Sequence, residues 1–212
     1  MLPDGARPGL HDLARWIARW LYRPAYRIRV LGVSNVPMCG PVVLVANHST
    51  LIEPSVIFGM LPRRSVFLVK SELGRGVLGW GLTRIGQVMV RRGEADRAAL
   101  TEAVHILKGG GVLGVFPEGT RGSGNVARAE QGAAWLVRAT DAVVLPVATR
   151  GTLRPPGSGR RFRPKLNVLV GEPFALTVQR GRSGLVEATE EIRRHLADLV
   201  RELDEQRSAA VR

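Results

Sequence analysis

The sequence predicts a single α/β domain in which a mixed β-sheet is flanked by helices. Short apolar runs typical of strands alternate with helical patterns along 212 residues, a length that suits one domain with a sizeable core. Several of the runs are continuously apolar, as strands covered on both faces are. The chain contains neither an internal repeat nor a linker long enough to separate two domains.

The order of the elements follows from these patterns. The runs expected to form strands are 27–33, 42–46, 66–69, 88–91, 112–116, 143–148 and 166–170. Apolar residues at three- and four-residue spacing predict helices over 10–22, 94–108, 130–140 and 184–206. The segment 154–164 is the clearest insertion between elements.

The first predicted helix is both amphipathic and basic. Its apolar stripe is formed by Leu10, Leu13, Ile17, Trp20 and Leu21, and arginines 15, 19 and 23 flank or oppose it. Such a helix suits a bilayer interface, where indole rings sit among headgroups and arginines meet lipid phosphates. The alternative is an amphipathic helix docked on its own domain. We expect residues 1–25 to form a membrane-surface segment and 26–212 to form the α/β domain.

Charge and hydropathy restrict the classes of partner. The formal net charge of +13 implies an anionic partner, which is nucleic acid, anionic lipid or a phosphorylated substrate. No run of about 18 apolar residues is present, so a membrane contact would lie on the surface and a spanning helix is not expected. Cys39 is the single cysteine and excludes an intramolecular disulfide. No signal peptide is expected.

The most informative stretch runs from a buried-type strand directly into a histidine. Asn47 and His48 follow the run 42–46, and Glu53 comes five residues after the histidine. Ligands of α/β folds bind where strands end, and an imidazole there can accept a proton at neutral pH. One ring nitrogen of the histidine would accept that proton, and a carboxylate hydrogen-bonded to the second ring nitrogen would fix the tautomer. This requires that the segment turns to bring the two side chains together. A histidine satisfied by local hydrogen bonds is the alternative.

A second apolar strand, 112–116, also runs into a turn rich in small and charged residues. Gly119 allows the backbone to approach a ligand closely, and Arg121 presents a fork of donors suited to phosphate. The alternative is an ordinary turn with one surface arginine.

Together the two stretches resemble the glycerolipid acyltransferase family, whose best-known members acylate lysophosphatidic acid. Its first motif, Asn-His with an aspartate five residues after the histidine, is matched by Asn47 and His48, with Glu53 in place of the aspartate. The later motifs are matched in order by Lys70-Ser71-Glu72-Leu73, Gly79-Trp80, Gly86, Val90-Arg91-Arg92, Phe116-Pro117-Glu118-Gly119-Thr120-Arg121, Val144-Leu145-Pro146-Val147-Ala148 and Arg150-Gly151-Thr152. Order and spacing hold from about residue 27 to 175.

The resemblance implies the fold of that family and direct acyl transfer without an acyl-enzyme. His48 would be the general base and Glu53 would orient it, with Asn47 and Pro146 in supporting roles. The acceptor phosphate would be bound by Glu118, Gly119, Thr120, Arg121, Lys70 and Arg91. For Lys70 and Arg91, a solvated surface role is the alternative. Glu53 is one methylene longer than the usual aspartate, which changes the reach of the carboxylate.

The expected function is transfer of an acyl group to the sn-2 hydroxyl of 1-acylglycerol 3-phosphate, which gives phosphatidic acid. The co-substrate would be an acyl-CoA or acyl carrier protein thioester, with no bound cofactor, at an anionic membrane surface. We expect a peripheral or monotopic protein on the cytoplasmic face of the cell membrane. One alternative is the same chemistry on another lysolipid, a glycolipid or a lipoamino acid. Another is a basic lipid- or nucleic-acid-binding module.

The remaining features of the sequence concern its possible partners and metal ligands. No nucleic-acid motif or aromatic platform is present, so no nucleic-acid partner is expected. A basic run that suits headgroups or an acidic donor, or simply a solvated face, comprises Arg150, Arg154, Arg160, Arg161, Arg163 and Lys165. His11, His105 and His195 are expected at the surface, and no cluster of metal ligands is visible.

Overall fold

The computed structural model describes residues 1–91, 96–119, 122–153, 157 and 162–209. Its strands are β1 (Arg27–Leu31), β2 (Val42–Ala46), β3 (Ser65–Lys70), β4 (Val88–Val90), β5 (Val112–Val115), β6 (Val143–Arg150) and β7 (Lys165–Val170). Its helices are α1 (Pro8–Leu21), α2 (Ile52–Met60), α3 (Gly76–Arg84), α4 (Arg97–Lys108), α5 (Gly132–Thr140) and α6 (Gly181–Ala209).

The strands form one sheet in the order β1-β7-β6-β2-β5-β3-β4. Five neighbouring strands, from β6 to β4, run parallel, whereas β7 pairs antiparallel with β6 and β1 pairs parallel with β7. The predicted mixed α/β sheet is therefore confirmed. Because the carboxyl ends of the five parallel strands share one edge, the segments that follow β2, β3, β4, β5 and β6 converge there. We call this the carboxyl edge.

Helices cover both faces of the sheet, which explains the continuously apolar strands. Every residue of β2 is buried, and its alternate side chains enter two different clusters. Leu44 packs with α1 and α2, while Val43 and Val45 pack with α4, α5 and α6. A strand enclosed in this way reads as an unbroken run of valine and leucine.

Helix α1 packs on α2 through a small-residue contact. A Cβ on Gly59 would lie 2.6 Å from the backbone nitrogen of Arg19 and 3.0 Å from the Cβ of Ala18, so only glycine permits this approach. His11 is fully buried at the same interface, edge-on to Phe58 with ring centroids 5.0 Å apart. The expectation of a surface position for His11 is therefore wrong, whereas His105 and His195 are exposed as expected.

The apolar stripe of α1 faces away from this interface. Leu13, Trp16, Ile17, Trp20 and Leu21 are each 45–62% exposed. The alternative in which this stripe docks on its own domain is therefore wrong. The helix is held by its other side, and its apolar stripe faces solvent.

Two helices, α2 and α3, have no counterpart in the sequence-based expectation. Most residues of α2 are buried, so its apolar positions show no helical period. Pro54 lies in its first turn, where a proline costs little. Helix α3 contains Gly76, Gly79 and Gly81, which lower helix propensity. Among the described residues, no helix is long and apolar enough to cross a membrane.

Candidate active site

The segment with the histidine after β2 and the turn after β5 meet at the carboxyl edge. Asn47 and His48 follow β2, and Phe116 to Glu118 follow β5, which is its direct neighbour. Strand pairing therefore brings together residues about 70 positions apart in sequence.

The main chain of His48 is fixed from both sides by the β5 turn. Its N–H donates to Oε1 of Glu118 at 2.8 Å, and its carbonyl accepts from the N–H of Gly122 at 3.0 Å. The imidazole stacks on Phe116 with ring centroids 4.4 Å apart and an angle of 30°. With a relative exposure of 6%, His48 is buried at the edge.

Glu53 is the fully buried carboxylate beside this histidine. It lies in the first turn of α2, and the segment 49–51 turns so that its side chain points back toward the strand end. Its oxygens accept from the N–H of Thr50 at 2.7 Å, the N–H of Ser49 at 3.3 Å and the Thr50 hydroxyl at 3.2 Å. The Thr152 hydroxyl, which follows β6, also donates to it. Four donors thus hold the carboxylate in one position.

The two groups face each other across a short gap. Nδ1 of His48 lies 3.4 Å from Oε2 of Glu53, a close contact without hydrogen-bond geometry, and among the described residues Nδ1 has no hydrogen-bond partner. Burial raises the pKa of Glu53. The contacts with His48, Thr152 and Thr50 lower it by more than burial raises it, so the pKa lies below its ordinary value. A charged carboxylate therefore faces Nδ1 and leaves Nε2 to act on a substrate. Such contacts are often long before substrate binds.

Asn47 joins the end of β2 to β6. Its Oδ1 accepts from the N–H of Thr149 at 2.7 Å, and its Nδ2 donates to the carbonyls of Thr149 at 3.0 Å and Gly124 at 3.2 Å. The side chain is fully buried. The amide therefore acts as a structural bridge at the strand end.

The structure describes only part of the motif Phe116 to Arg121. Glu118 faces the backbone of His48, and burial raises the pKa of its carboxyl. Gly119 has a φ of +67°, a left-handed backbone conformation that favours glycine. Thr120 and Arg121 lie outside the described residues, as do Arg154, Arg160 and Arg161 of the basic run.

Lys70 and Arg91 lie on the same edge, at the ends of β3 and β4. Lys70 pairs with Glu72 at 2.8 Å, and Arg91 contacts Asp96 at 3.6 Å. Both basic side chains are largely exposed, at 47% and 68%. The strand order places β3 two positions and β4 three positions from β2, so these cations stand further along the edge than the Glu118 turn.

Pro146 lies inside β6, where a central strand rarely accepts proline. It pairs with Val45 of β2 on one side. On the other side, Val144 pairs with Phe174 and the ladder with β7 begins only at Val147. Pro146 therefore lies where β6 changes from one partner to the next, so its missing N–H is tolerated, and it shapes the strand that carries Thr149 and leads to Thr152.

Two contributors to the site could not be singled out from the sequence. Thr152 reaches Glu53 from 99 positions away, a contact that no local spacing reveals. Arg150 reads as part of a basic run, yet its guanidinium pairs with Asp204 of α6 at 2.9 Å and donates to the carbonyl of Gly124 at 2.8 Å. It therefore fixes the turn behind His48. Within the described ranges, no group of three or more histidine, cysteine, aspartate or glutamate side chains is placed to hold a metal ion.

A parallel strand end, an imidazole and a buried carboxylate therefore meet at this edge, an arrangement that is chemically able to take up a proton from a substrate. The profile of the family described as Acyltransferase matches residues 27–150, the part of the chain that builds this edge. The chain belongs to that acyltransferase family, which confirms the resemblance drawn from its motifs.

Individual relatives point the same way. The chain is 27% identical over 187 residues to the 1-acyl-sn-glycerol-3-phosphate acyltransferase of Bacillus subtilis, with 84% of this chain and 90% of that protein covered. It is 28% identical over 178 residues to the chloroplastic enzyme LPAT1 of Arabidopsis thaliana. The crystal structure of the 1-acyl-sn-glycerophosphate acyltransferase PlsC of Thermotoga maritima matches with a TM-score of 0.65 at 26% identity, covering 94% of this chain and 78% of that one.

The relatives differ in how far they extend beyond the shared domain. The match covers 77% of this chain but only 48% of the plant protein, so the chain spans about half the length of that relative. The bacterial relative is of nearly matching extent.

Proposed function

We propose that this chain transfers a fatty acyl group from an acyl thioester to the sn-2 hydroxyl of 1-acylglycerol 3-phosphate. The observation that carries the proposal is the buried Glu53 carboxylate held 3.4 Å from Nδ1 of His48 at the strand edge. The proposal is supported by relatives named for that activity in a bacterium and a plant. The donor is an acyl-CoA or an acyl carrier protein thioester, and no bound cofactor takes part.

The geometry suits direct transfer. Nε2 of His48 takes the proton of the acceptor hydroxyl while the alkoxide oxygen forms a bond to the thioester carbonyl. The tetrahedral intermediate then collapses, the carbon–sulfur bond breaks, and the imidazolium returns the proton to the leaving thiolate. Glu53 faces the Nδ1–H and stabilises the imidazolium between these two steps. Such a base supplies about 10²–10⁴-fold in rate.

We assign acceptor phosphate binding to the turn after β5 and to the cations along the edge. Arg121 is the primary candidate because its fork matches phosphate, with Thr120 and the backbone at Gly119 beside it. Lys70 and Arg91 are secondary candidates, since both are exposed, Lys70 pairs with the exposed carboxylate of Glu72, and Arg91 contacts Asp96 only at 3.6 Å. Glu118 contributes by holding His48, because a carboxylate bonded to the base's backbone repels a phosphate rather than binding it.

We further propose that residues 1–25 dock the domain 26–212 on the anionic, cytoplasmic face of the cell membrane. The exposed stripe of α1 includes Trp16 and Trp20, and the guanidinium of Arg23 lies 4.6 Å from the Trp20 ring. Tryptophan and arginine together favour the headgroup region. The surplus of +13 charges adds attraction to anionic lipid, at about 1 kcal/mol for each cation near the surface.

The test is an acyl-transfer assay with labelled acyl-CoA and acyl carrier protein donors. We compare the wild type with His48→Ala, and with His105→Ala as the matched control because that histidine is exposed on α4. We expect His48→Ala to lose at least about 10²-fold in kcat and His105→Ala to retain full activity. Equal activity of the two variants would remove His48 from the mechanism.

A panel of acceptors tests the substrate class. We expect 1-acylglycerol 3-phosphate to be preferred over the matching monoacylglycerol, which lacks the phosphate. A preference for a neutral acceptor or a glycolipid would retain the chemistry and overturn the assigned substrate. Absence of transfer to every acceptor, combined with tight binding to anionic lipid, would favour the non-catalytic binding module.

A further inference from the structure

Helix α3 presents a second apolar surface to solvent. Val77 is 85% exposed, Leu78 59% and Trp80 60%; we call these three side chains the α3 tip. The helix is not loosely attached, because Gly79 packs so closely on the backbone of Gly74 that a Cβ would collide with it. Large apolar side chains held outward on a tightly packed helix mark an interaction surface.

The position of the α3 tip relates it to the active site. Helix α3 follows β3 through the turn Ser71–Gly74, so its first half starts from the carboxyl edge. Ile85, directly after α3, belongs to the same core cluster as Phe116, on which the imidazole of His48 stacks. Helix α3 therefore ends on the face of the sheet that carries Phe116 and the imidazole stacked on it.

Helix α3 is also bonded to α1. The N–H of Arg7 donates to the carbonyl of Arg84 at 2.9 Å, and Nδ1 of His11 lies 2.5 Å from the carbonyl of Ile85. These bonds connect the start of α1 to the end of α3. The two exposed apolar surfaces are thus parts of one connected layer on this side of the sheet.

The charges around the α3 tip identify the partner. From residue 70 to residue 91 the chain carries four basic side chains and one acidic one, and that one, Glu72, is paired with Lys70. The guanidinium of Arg84 lies 5.6 Å from the Trp80 ring, which repeats the pairing of Arg23 with Trp20 in α1. An apolar tip with an arginine-paired tryptophan and a basic surround fits the headgroup region of an anionic bilayer.

We propose that the α3 tip inserts into the bilayer as a second contact, independent of α1. The membrane plane would then touch the molecule at two elements on the side that His48 faces, and a lipid acceptor could reach the imidazole without leaving the bilayer. This proposal rests on the proposed function only in naming the membrane as the source of the acceptor. A second copy of the chain is the competing occupant.

The sole cysteine makes a direct depth measurement simple. In a Cys39→Ser background, a nitroxide is placed at Val77→Cys, with controls at Val186→Cys on α6 and at Met38→Cys near the amino ends of β2 and β5. Collisions with oxygen and with a water-soluble nickel complex are measured with and without vesicles of equal parts phosphatidylcholine and phosphatidylglycerol. We expect the label at 77 to lose nickel contact and gain oxygen contact on vesicles, and both controls to stay water-exposed.

A binding measurement gives an independent check. Replacing Leu78 by Gln in an otherwise native chain removes apolar area that the bilayer would bury, so vesicle affinity should fall about tenfold. Val186→Ser, a change at an exposed valine on α6, should leave the affinity within twofold.

The outcomes separate this proposal from the proposed function. A label at 77 that stays in water while the protein binds vesicles would overturn the α3 contact and leave catalysis and α1 docking untouched. A label already protected before vesicles are added would assign the tip to a second copy and overturn the bilayer contact. Loss of transfer in His48→Ala tests the chemistry on detergent-dispersed acceptor, independently of either result.

Discussion

The backbone N–H of His48 donates to Oε1 of Glu118 at 2.8 Å, so the histidine of one motif is held by the carboxylate of another. On the other side of the same residue, the N–H of Gly122 donates to the carbonyl of His48. The two motifs are therefore one structural unit: the turn after β5 sets where the imidazole stands, and strand pairing between β2 and β5 aligns the two.

Replacing Glu118 separates a positioning role from an acceptor-binding role. Glu118→Ala leaves the N–H of His48 unpaired, so we expect a loss of about 1–3 kcal/mol in the free energy of unfolding. We also expect kcat to fall at least tenfold while the KM for the acceptor changes by less than about threefold. Glu118→Gln keeps an acceptor oxygen and should retain most of both. A rise in KM with unchanged kcat would instead place this carboxylate at the acceptor. Steady-state kinetics and urea unfolding provide the readouts.

Thr152 should be a positioning residue for the Glu53 carboxylate. Thr152→Val keeps the shape of the side chain but removes the hydroxyl that donates to Glu53, so one of the four donors is lost. We expect kcat to fall by about tenfold and the free energy of unfolding at pH 7 to fall by about 1–3 kcal/mol. Thr152→Ser, which retains the hydroxyl, is the matched control.

The pH dependence of that difference checks its cause. The pKa of Glu53 lies below its ordinary value of 4.5 in the folded protein, so its stabilising bonds are fully present above pH 4.5 and are lost as the pH falls through the folded pKa. The stability difference between Thr152→Val and the wild type should therefore be largest above pH 4.5 and shrink in more acid solution. A difference that does not change with pH would mean that the hydroxyl supports packing rather than the charged carboxylate. Denaturant unfolding between pH 3 and 7 gives the answer.

The sequence predicts an element correctly where the burial of that element shows directly in its own run of residues. Strand β2 was predicted with its bounds because a run enclosed on both faces is apolar throughout. The bounds of β1 and β6 shifted by two residues at one end, since pairing with β7 decides where those strands stop. Helix α2 was missed because a buried helix lacks the polar face that gives an amphipathic period.

Within the candidate site, the proximity of His48 and Glu53 could be predicted because a strand end and a five-residue spacing lie in one segment. The partners of these residues could not be predicted, because Thr152 and Glu118 reach them through the strand order. His11 was misplaced for a related reason. Its neighbours Asp12 and Arg15 read as a polar helix surface. Asp12 does pair at the surface with Arg64, but Arg15 donates to a carbonyl of α2 and His11 is fully buried against that helix.

The exposed tryptophans of α1 offer a cleaner test of membrane docking than removal of residues 1–25. Deletion would also remove the buried His11 and Ala18 and uncover the surface of α2 around Gly59. Replacing Trp16 and Trp20 together by Ser leaves those contacts in place, so thermal stability should change little. Vesicle affinity should fall by at least about tenfold, because two large apolar rings no longer enter the interface.

Vesicle flotation at low and high salt measures the α1 contact. The residual binding of the double variant should be more sensitive to salt, because it depends mainly on basic residues. Unchanged flotation would remove α1 from the membrane contact. Val186→Ser serves as the control for a substitution at an exposed apolar residue elsewhere.

His11 should make the stability of the protein depend on pH near neutrality. Its Nδ1 lies 2.5 Å from the carbonyl of Ile85, which favours a proton on Nδ1, and its Nε2 is buried with no partner among the described residues. Burial lowers the pKa of His11 below 6.5; the contact with Ile85 opposes this and the nearby Arg15 adds to it. Asp12 and Arg64 are the other charged groups that act on the ring, in opposite directions. A second proton would place an unpaired charge at Nε2.

The stability falls in acid because the folded protein keeps His11 neutral. As the pH falls below 6.5, the unfolded chain takes up a proton that the folded chain refuses, so stability is lost until the pH reaches the folded pKa. The loss amounts to about 1.4 kcal/mol for each pH unit in that window. His11→Gln keeps a donor for the Ile85 carbonyl but does not titrate, so its stability should stay flat where the wild type declines. If the free energy of unfolding of the two proteins changed in parallel between pH 7 and 5, His11 would not be the neutral group that joins α1 to α3.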